Sequence, residues 1–481
     1  MEKISNSDIT ALGVADLDLL VQFSRVANGL LKHGVMDKAE ILTNLESVII
    51  DPMPYAKQGG KFKNIADEVI RLRQEGKFPA PEHKVQQLKK EIADFPVYGM
   101  EHIEPGALAQ MRNAIQLPIS VAGALMPDAH QGYGLPIGGV LATSADAIIP
   151  YAVGVDIACR MCLSIFDMPA RAVDTQQEQL KSLLLKNTHF GMGSETKHHF
   201  DTSLFDHREW KATKLLRDLR DKAYRQLGTS GTGNHFVEWG ELSVDEGVLE
   251  GVPAGRYLAL LSHSGSRGFG AGVANHYSGI AMKKTQLPHE VRHLAWLDLD
   301  TEEGQEYWLS MNLAGDYASA NHHEIHNKIA RDLQLQPLLR IENHHNFAWQ
   351  EQLADGTPVM VHRKGATPAG DGVLGIIPGS MSTPGFVVRG KGNPESINSA
   401  SHGAGRVMSR NVAFKTLKRE LVQAELLDKK ITLLGSDLDE APMVYKNIHA
   451  VMEAQHDLVD VLAKFMPRIV RMADAKERPE D

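Results

Sequence analysis

Over roughly the first hundred residues the apolar positions recur at helical spacing. The run LDLLVQFSRVANGLLKHG (17–34) has one apolar face, and Gly34 reads as its C-terminal stop. AEILTNLESVII (39–50), NIADEVIRLRQEGK (64–77) and EHKVQQLKKEIADF (82–95) continue the pattern, broken by Pro52, Pro54 and the Pro79–Pro81 pair. Lys57, Lys61, Lys63, Arg71, Arg73, Lys84, Lys89 and Lys90 make this segment basic, and they read better as solvated helix faces than as an RNA surface.

From about 98 the texture turns to β-branched runs between glycine turns. AIIPYAVGVDIACRMCLSIF (147–166) predicts a buried strand interrupted by Asp156 and Cys159. Residues 170–225 and 300–335 read as helical. LGTSGTGNHFVEWGEL (227–242) sets Asn234 and His235 at the start of a short strand, and YLALLSHSGSRGFGAG (257–272) is a strand ending in His263. Strands and loops lead from IENHHNFAWQE (341–351) to His402, and Tyr445 to about Arg471 reads as helical again. The pattern implies a mixed α/β (α+β) architecture: a helical extension over 1–97, a β-rich catalytic unit with flanking helices over 98–473, and a polar tail over 474–481.

Composition narrows the class. The chain is 43% hydrophobic and 23% charged, which places it among globular proteins. A net charge of −9 argues against a protein that coats nucleic acid, while leaving room for a local basic groove. MEKISNSDIT has no apolar h-region and no run of about 18 apolar residues occurs, so no membrane association is expected. Two cysteines in 481 residues exclude a disulfide framework and fit a reducing, cytoplasmic setting. The 22 histidines are the outlier, since a minority of them suffices for a metal site.

Three motif matches lead nowhere. Cys159-Arg160-Met161-Cys162 is a lone C-x-x-C without the strand-to-helix setting of a redox motif. His322 and His326 lie four apart but lack the H-E-x-x-H order, and read as an ordinary helix face. GFVVRGKG (385–392) falls one residue short of a phosphate-binding loop and is strand-like inside. A more economical constellation is Asp156, Cys159, His235, His263 and His345, each at a strand end or glycine turn. One carboxylate, one thiolate and three imidazoles suit two divalent ions such as Mn²⁺, Zn²⁺ or Co²⁺, with the thiolate bridging. His402 sits among small residues in SHGAGR, open to close approach by a phosphorylated ligand, with Arg406 four residues on.

Taken together, MPDAHQGYGLPIGG, VGVDIAC, GTGNHFVE, HSGSRG, HHN, RKGA, IPGSMST and SHGAGRVMSR, in that order, resemble the RtcB family of RNA-splicing ligases. The resemblance spans about 98–470 and implies that family's own fold. It implies that His402 attacks the α-phosphorus of GTP, expels pyrophosphate and holds GMP. The guanylate then activates an RNA 3′-phosphate, itself drawn from a 2′,3′-cyclic phosphate where needed, for attack by a 5′-hydroxyl. Asp156, Cys159, His235, His263 and His345 are implied to bind two Mn²⁺. The implied guanylate pocket comprises Asn234, His235, Phe236, Val237 and Glu238, then His345 and Asn346, then Pro378, Gly379, Ser380, Met381 and Gly385, and finally His402, Gly403, Ala404, Gly405 and Tyr445. Arg267 and Arg406 are implied phosphate contacts, and an activating protein is an implied partner, in RNA repair or tRNA splicing.

The chain departs from the family at three places. Met472 and Ala473 stand where a lysine-glycine pair is usual, Arg160 stands where glycine is common, and the helical first 97 residues lie outside the usual core. The lost lysine keeps a second reading open, a metal-dependent phosphoesterase that opens cyclic phosphates without joining ends.

Overall fold

The structure, a computed structural model, describes residues 3–12, 14, 17–32, 36–78, 85–196, 200 and 202–475. Gly34, the Pro79–Pro81 pair and most of the polar tail lie outside the described residues. Two compact units emerge: residues 1–87 with 285–292, and residues 88–284 with 293–481.

The first unit is helical. Helices α1 (Asn6–Thr10), α2 (Leu17–Lys32), α3 (Lys38–Ile50), α4 (Met53–Gln58) and α5 (Lys63–Gln74) bury Leu19, Phe23, Leu45, Ile65 and Val69 together. The Asp37 side chain caps α3 by accepting from Glu40 N–H, satisfying a donor the helix start leaves open. Arg292, on the second stretch of this unit, donates to Asn44 Oδ1 at 3.2 Å and Ser47 Oγ at 2.9 Å. The helix expected over 82–95 does not form where it is described. Residues 85–95 are irregular, and Ile92 is exposed. With no surface to bury its apolar face against, helical spacing alone does not hold a helix.

The second unit is built on sheets. Its strands are β1 (Ser120–His130), β2 (Ile137–Ser144), β3 (Ala147–Ile148), β4 (Arg160–Pro169), β5 (Phe236–Val244), β6 (Gly255–Ser264), β7 (Leu297–Asp298), β8 (Pro337–His344), β9 (Asn346–Gln352) and β10 (Pro358–Lys364). There follow β11 (Ala366–Pro368), β12 (Leu374–Ile377), β13 (Gly385–Gly390), β14 (Ser399–Ser401), β15 (Thr432–Leu434) and β16 (Val459–Met472). The buried strand expected over 147–166 is in fact β3, a short helix α6 (Pro150–Val153), a loop and then β4, because Pro150 and Gly154 break the run. The segment expected to be helical after Tyr445 holds only a short helix at Ile448–Glu453 and then the 14-residue β16. That strand pairs with β13, β5 and β15, and register shifts beside Leu462 and between Pro467 and Ile469 break the two-residue alternation that would mark it in sequence.

The large sheet runs β12-β13-β16-β5-β6-β4-β8 and curls toward closure. Its end strands are joined by a side chain: Asn343 Nδ2–H donates to Ile376 O at 3.3 Å, and Ile376 N–H donates to Asn343 Oδ1 at 2.9 Å. The amide replaces one rung of a backbone ladder. Helix α7 (Glu302–Leu333) packs on the outer face, burying Ile325 and Ile329 against Phe166, Trp239 and Leu260. A second sheet, β1-β2-β10-β9, and the β11–β14 pair stand beside this barrel end. The antiparallel pairings β4–β6, β4–β8 and β5–β6 bring the start of β4, the start of β5, and the ends of β6 and β8 to one rim.

Candidate active site

Each of the five expected metal donors sits on that rim. Asp156 and Cys159 lie in the loop before β4, His235 precedes β5, His263 is in the last turn of β6, and His345 separates β8 from β9. Cys159 Sγ is 3.0 Å from His263 Nε2 and 3.5 Å from His235 Nε2. His235 Nε2 is 3.1 Å from Asp156 Oδ2, and His263 Nε2 is 3.3 Å from His345 Nε2.

The loop that carries Asp156 and Cys159 is held under strain. Ala158 adopts φ +56°, a conformation L side chains avoid, and its N–H donates to Asn346 O at 2.7 Å. Asn346 Nδ2–H donates to Asp156 O at 3.2 Å, and His345 N–H donates to Cys159 O at 3.0 Å. Gly265 makes room for the carboxylate, since a Cβ there would stand 2.1 Å from Asp156 Oδ1.

The donor chemistry fits a divalent cation. His235 Nδ1–H donates to Ser230 O at 2.7 Å and His263 Nδ1–H to Asn234 O at 3.1 Å. Those bonds put the lone pairs on the Nε2 atoms that face the thiol, which is how ligating histidines are oriented. Burial drives His263 and His345 well below the ordinary histidine range, so both imidazoles are uncharged and ligand-competent. Burial pushes the Asp156 carboxyl up, but the hydrogen bond and charge of His235 outweigh it and the carboxyl ends below its ordinary value. His263 Nε2 carries a lone pair 3.3 Å from His345 Nε2, a spacing that a cation bound by both imidazoles would satisfy. Cys159, His235 and His263 also form one of two clusters, among the described residues, with metal-ligating spacing.

His402 adjoins this cluster. It follows β14, and its ring centroid is 4.8 Å from that of His345. Asp128, fully buried in β1, takes three bonds on Oδ2: His402 Nδ1–H at 2.7 Å, His402 N–H at 3.1 Å and Gly403 N–H at 3.3 Å. Nε2 of His402 is thereby left with the lone pair. Gly405, at φ +74°, permits the two segments to meet, because a Cβ there would lie 2.0 Å from Asp128 O. Asp128 stands within MPDAHQGYGLPIGG, where nothing local gives it this role; its contact with His402 exists only once β1 and β14 are brought together in space.

A cavity of about 610 Å³ opens beside His402. It is lined by Asn234, Phe236, Glu238, Pro378–Met381, Gly385, His402–Gly405 and Tyr445, together with Arg406, Arg410, Glu440 and Met472.

A family profile described as tRNA-splicing ligase RtcB matches residues 110–216 and 206–473. The RNA-splicing ligase RtcB of Escherichia coli K12 is 35% identical over 390 residues, covering 75% of this chain and 92% of that protein. The tRNA-splicing ligase RtcB of Thermococcus kodakarensis is 30% identical over 475 residues, covering 82% and 94%. The chain belongs to the RtcB family. An RNA-splicing ligase RtcB homolog of Entamoeba histolytica extends the likeness to a eukaryote at 28% identity, 76% of this chain and 84% of that protein.

Not every residue matched to the RtcB pattern reaches the cavity. Val237 points to the opposite face of β5, buried with Trp239 and Ile469. Asn346 braces the Asp156–Cys159 loop and donates nothing into the cavity lining. Arg267 is buried, donates to Thr229 Oγ1, Gly191 O and Ser194 Oγ, and does not line the cavity. Arg406 does line the cavity, where it donates to Glu440 Oε1 and Asp439 O.

His322 and His326 lie on the face of α7 that is buried against the sheet. Both are fully buried under the sheet with Cys162 and form the second metal-spaced cluster. Their nitrogens are already matched: His322 Nε2–H donates to Ser264 O, while His322 Nδ1 and His326 Nε2 meet Ser262 Oγ, and His326 Nδ1 meets Ser164 Oγ. Burial pushes the Cys162 thiol up to about 12, which keeps it protonated and a poor ligand. Arg160, one residue after Cys159, faces the same layer and pairs with Glu342 at 2.8 Å.

Proposed function

We propose that this chain joins RNA ends, using His402 as a nucleophile toward a nucleoside triphosphate, which family resemblance gives as GTP. The observation that carries the reading is the Asp128–His402 bond at 2.7 Å beside a cavity of nucleotide size. His402 Nε2 forms a bond to the α-phosphorus while the bond from that phosphorus to the pyrophosphate oxygen breaks and pyrophosphate leaves. The positive charge that develops on the ring is met by the Asp128 carboxylate through Nδ1–H. The nucleotide then passes to an RNA 3′-phosphate, and a 5′-hydroxyl displaces it to form the new phosphodiester. A 2′,3′-cyclic phosphate is first opened by water to the 3′-phosphate.

Asp156, Cys159, His235, His263 and His345 would hold the metal, two Mn²⁺ by resemblance. When bound, it supplies positive charge against the phosphates and lowers the pKa of a bound water. Cyclic-phosphate opening without joining is the second reading, favoured by Met472 in place of the usual lysine. The test is incubation of the protein with Mn²⁺ and α-labelled GTP, followed by denaturation. Label that survives on the protein and disappears in His402→Ala supports the ligase. Metal binding with cyclic-phosphate hydrolysis and no label sinks it in favour of the phosphoesterase.

A further inference from the structure

Asn321, fully buried in α7, makes four hydrogen bonds to two segments next to metal donors: the turn before His235 and the residue after His263. Its Oδ1 accepts Gly228 N–H at 2.7 Å and Thr229 N–H at 3.2 Å. Its Nδ2–H groups donate to Thr229 O at 2.9 Å and to Ser264 Oγ at 3.3 Å. Only the amide oxygen can meet two backbone N–H groups, so the orientation of the amide is fixed. Ser264 Oγ therefore accepts from Asn321 and turns its own proton to Ser230 O at 3.2 Å, the nearer of two carbonyls within reach. That same Ser230 carbonyl takes His235 Nδ1–H at 2.7 Å. The next residue of the helix grips the same serine, since His322 Nε2–H donates to Ser264 O at 3.0 Å.

The turn is held from its other sides as well. Thr229 Oγ1 donates to Gln226 O at 2.6 Å and accepts Arg267 Nε–H at 2.9 Å, while Ser230 N–H donates to His189 O at 2.8 Å. Thr229, Ser230 and Ser264 are fully buried, so water does not compete for these bonds. The partner that holds the non-ligating nitrogen of a histidine sets which way the ligating nitrogen points. We infer that Asn321 is a positioning residue for the metal site. It aims His235 Nε2 at Asp156 and Cys159 through the Gly228–Ser230 turn and the Ser264 hydroxyl. The inference rests on the metal reading above and deepens it. An amide that merely fastened α7 to the sheet would affect every donor alike. The other two imidazoles are anchored by different bonds: His263 Nδ1–H donates to Asn234 O, and His345 N–H donates to Cys159 O. The influence of Asn321 is thus directed at one ring of the three.

The experiment titrates the metal-free full chain with Co²⁺ and follows the sulfur-to-metal band of Cys159. Asn321→Asp keeps the size of the side chain and both accepting bonds. It loses both donors and draws the Ser264 proton away from Ser230 O, so cobalt affinity is expected to fall by about tenfold or more. In a His235→Ala background the same change is expected to cost less than about twofold, because the ring it aims is gone. Ser264→Ala removes only the hydroxyl that links the amide to Ser230 O. It should give the same pattern at smaller amplitude, and it carries the test if Asn321→Asp does not fold. Equal losses in both backgrounds, or no loss in either, overturn the inference while the metal reading stands. A parent chain that binds no cobalt overturns the metal reading, and the inference with it.

Discussion

Asp128 and His402 are 274 residues apart in sequence and meet at 2.7 Å, with the same Asp128 oxygen also taking the His402 and Gly403 backbone N–H groups. One carboxylate therefore sets the ring's tautomer, its rotation and the path of its backbone.

Replacing that carboxylate should disable His402 without touching the metal donors. Asp128→Asn keeps the shape and loses the charge that meets the developing imidazolium. We expect nucleotide transfer to His402 to slow by about a hundredfold or more. Rapid-quench labelling measures the rate, and metal analysis of the same sample should read as in the parent protein.

The Cys159 cluster should bind cations through sulfur. Cobalt substitution is expected to give a near-ultraviolet sulfur-to-metal charge-transfer band that Cys159→Ser abolishes, with affinity weakened by at least about tenfold. A cobalt spectrum unchanged in Cys159→Ser would remove the thiolate from the ligand set.

Acid should destabilise the fold through histidines buried uncharged. His362 accepts Ile149 N–H at 2.9 Å on Nε2 and donates to Leu141 O from Nδ1; burial pushes it down to about 4. In the unfolded chain it titrates near 6.5. Below that pH the unfolded state binds a proton the native state refuses, so the contribution is intact above 6.5 and is lost as pH falls toward 4. The loss is roughly 3 kcal/mol across that window. Urea midpoints at pH 7 and pH 5 should differ in that direction, and His362→Gln should shrink the difference by the share of His362, the remainder belonging to His130, His322, His326 and His344, which burial also pushes down.

The Arg160–Glu342 pair gives a test of the layer under the site. The Arg160 side chain is 10% exposed and that of Glu342 29%. The two nearby groups that also reach Glu342 are Ser319 and His323. Glu342→Leu alone strands a nearly buried guanidinium and should cost about 3 kcal/mol. The double change Arg160→Met with Glu342→Leu should recover most of that loss, as a double-mutant cycle in urea would record.

Much of the site was legible because its chemistry stands at chain features that periodicity reveals. Asp156, Cys159, His235 and His263 sit where an apolar run meets a glycine turn and His345 at a strand end, and strand pairing gathers such positions on one rim. Asp128 was not assigned because its partner lies across a contact between β1 and β14 that no local pattern encodes. β16 reads as helix in the sequence because register shifts beside Leu462 and between Pro467 and Ile469 throw its two-residue alternation out of phase. The burial of His322 and His326 was missed for a related reason: histidine reads as polar in sequence, yet serine hydroxyls and a carbonyl under the sheet satisfy it completely.

Residues 285–292 group with 1–87 although they are reached only after most of two hundred intervening residues. Leu287 and Val291 are buried there, and Arg292 bonds to Asn44 and Ser47. The helical unit is thus interleaved with the rest of the chain and cannot be shed like a tag by one cut at residue 87. A gene fragment starting at 88 would still carry a segment whose partners had been deleted. For this protein, modularity ends at the level of the polypeptide: the two units are inherited, expressed and lost together.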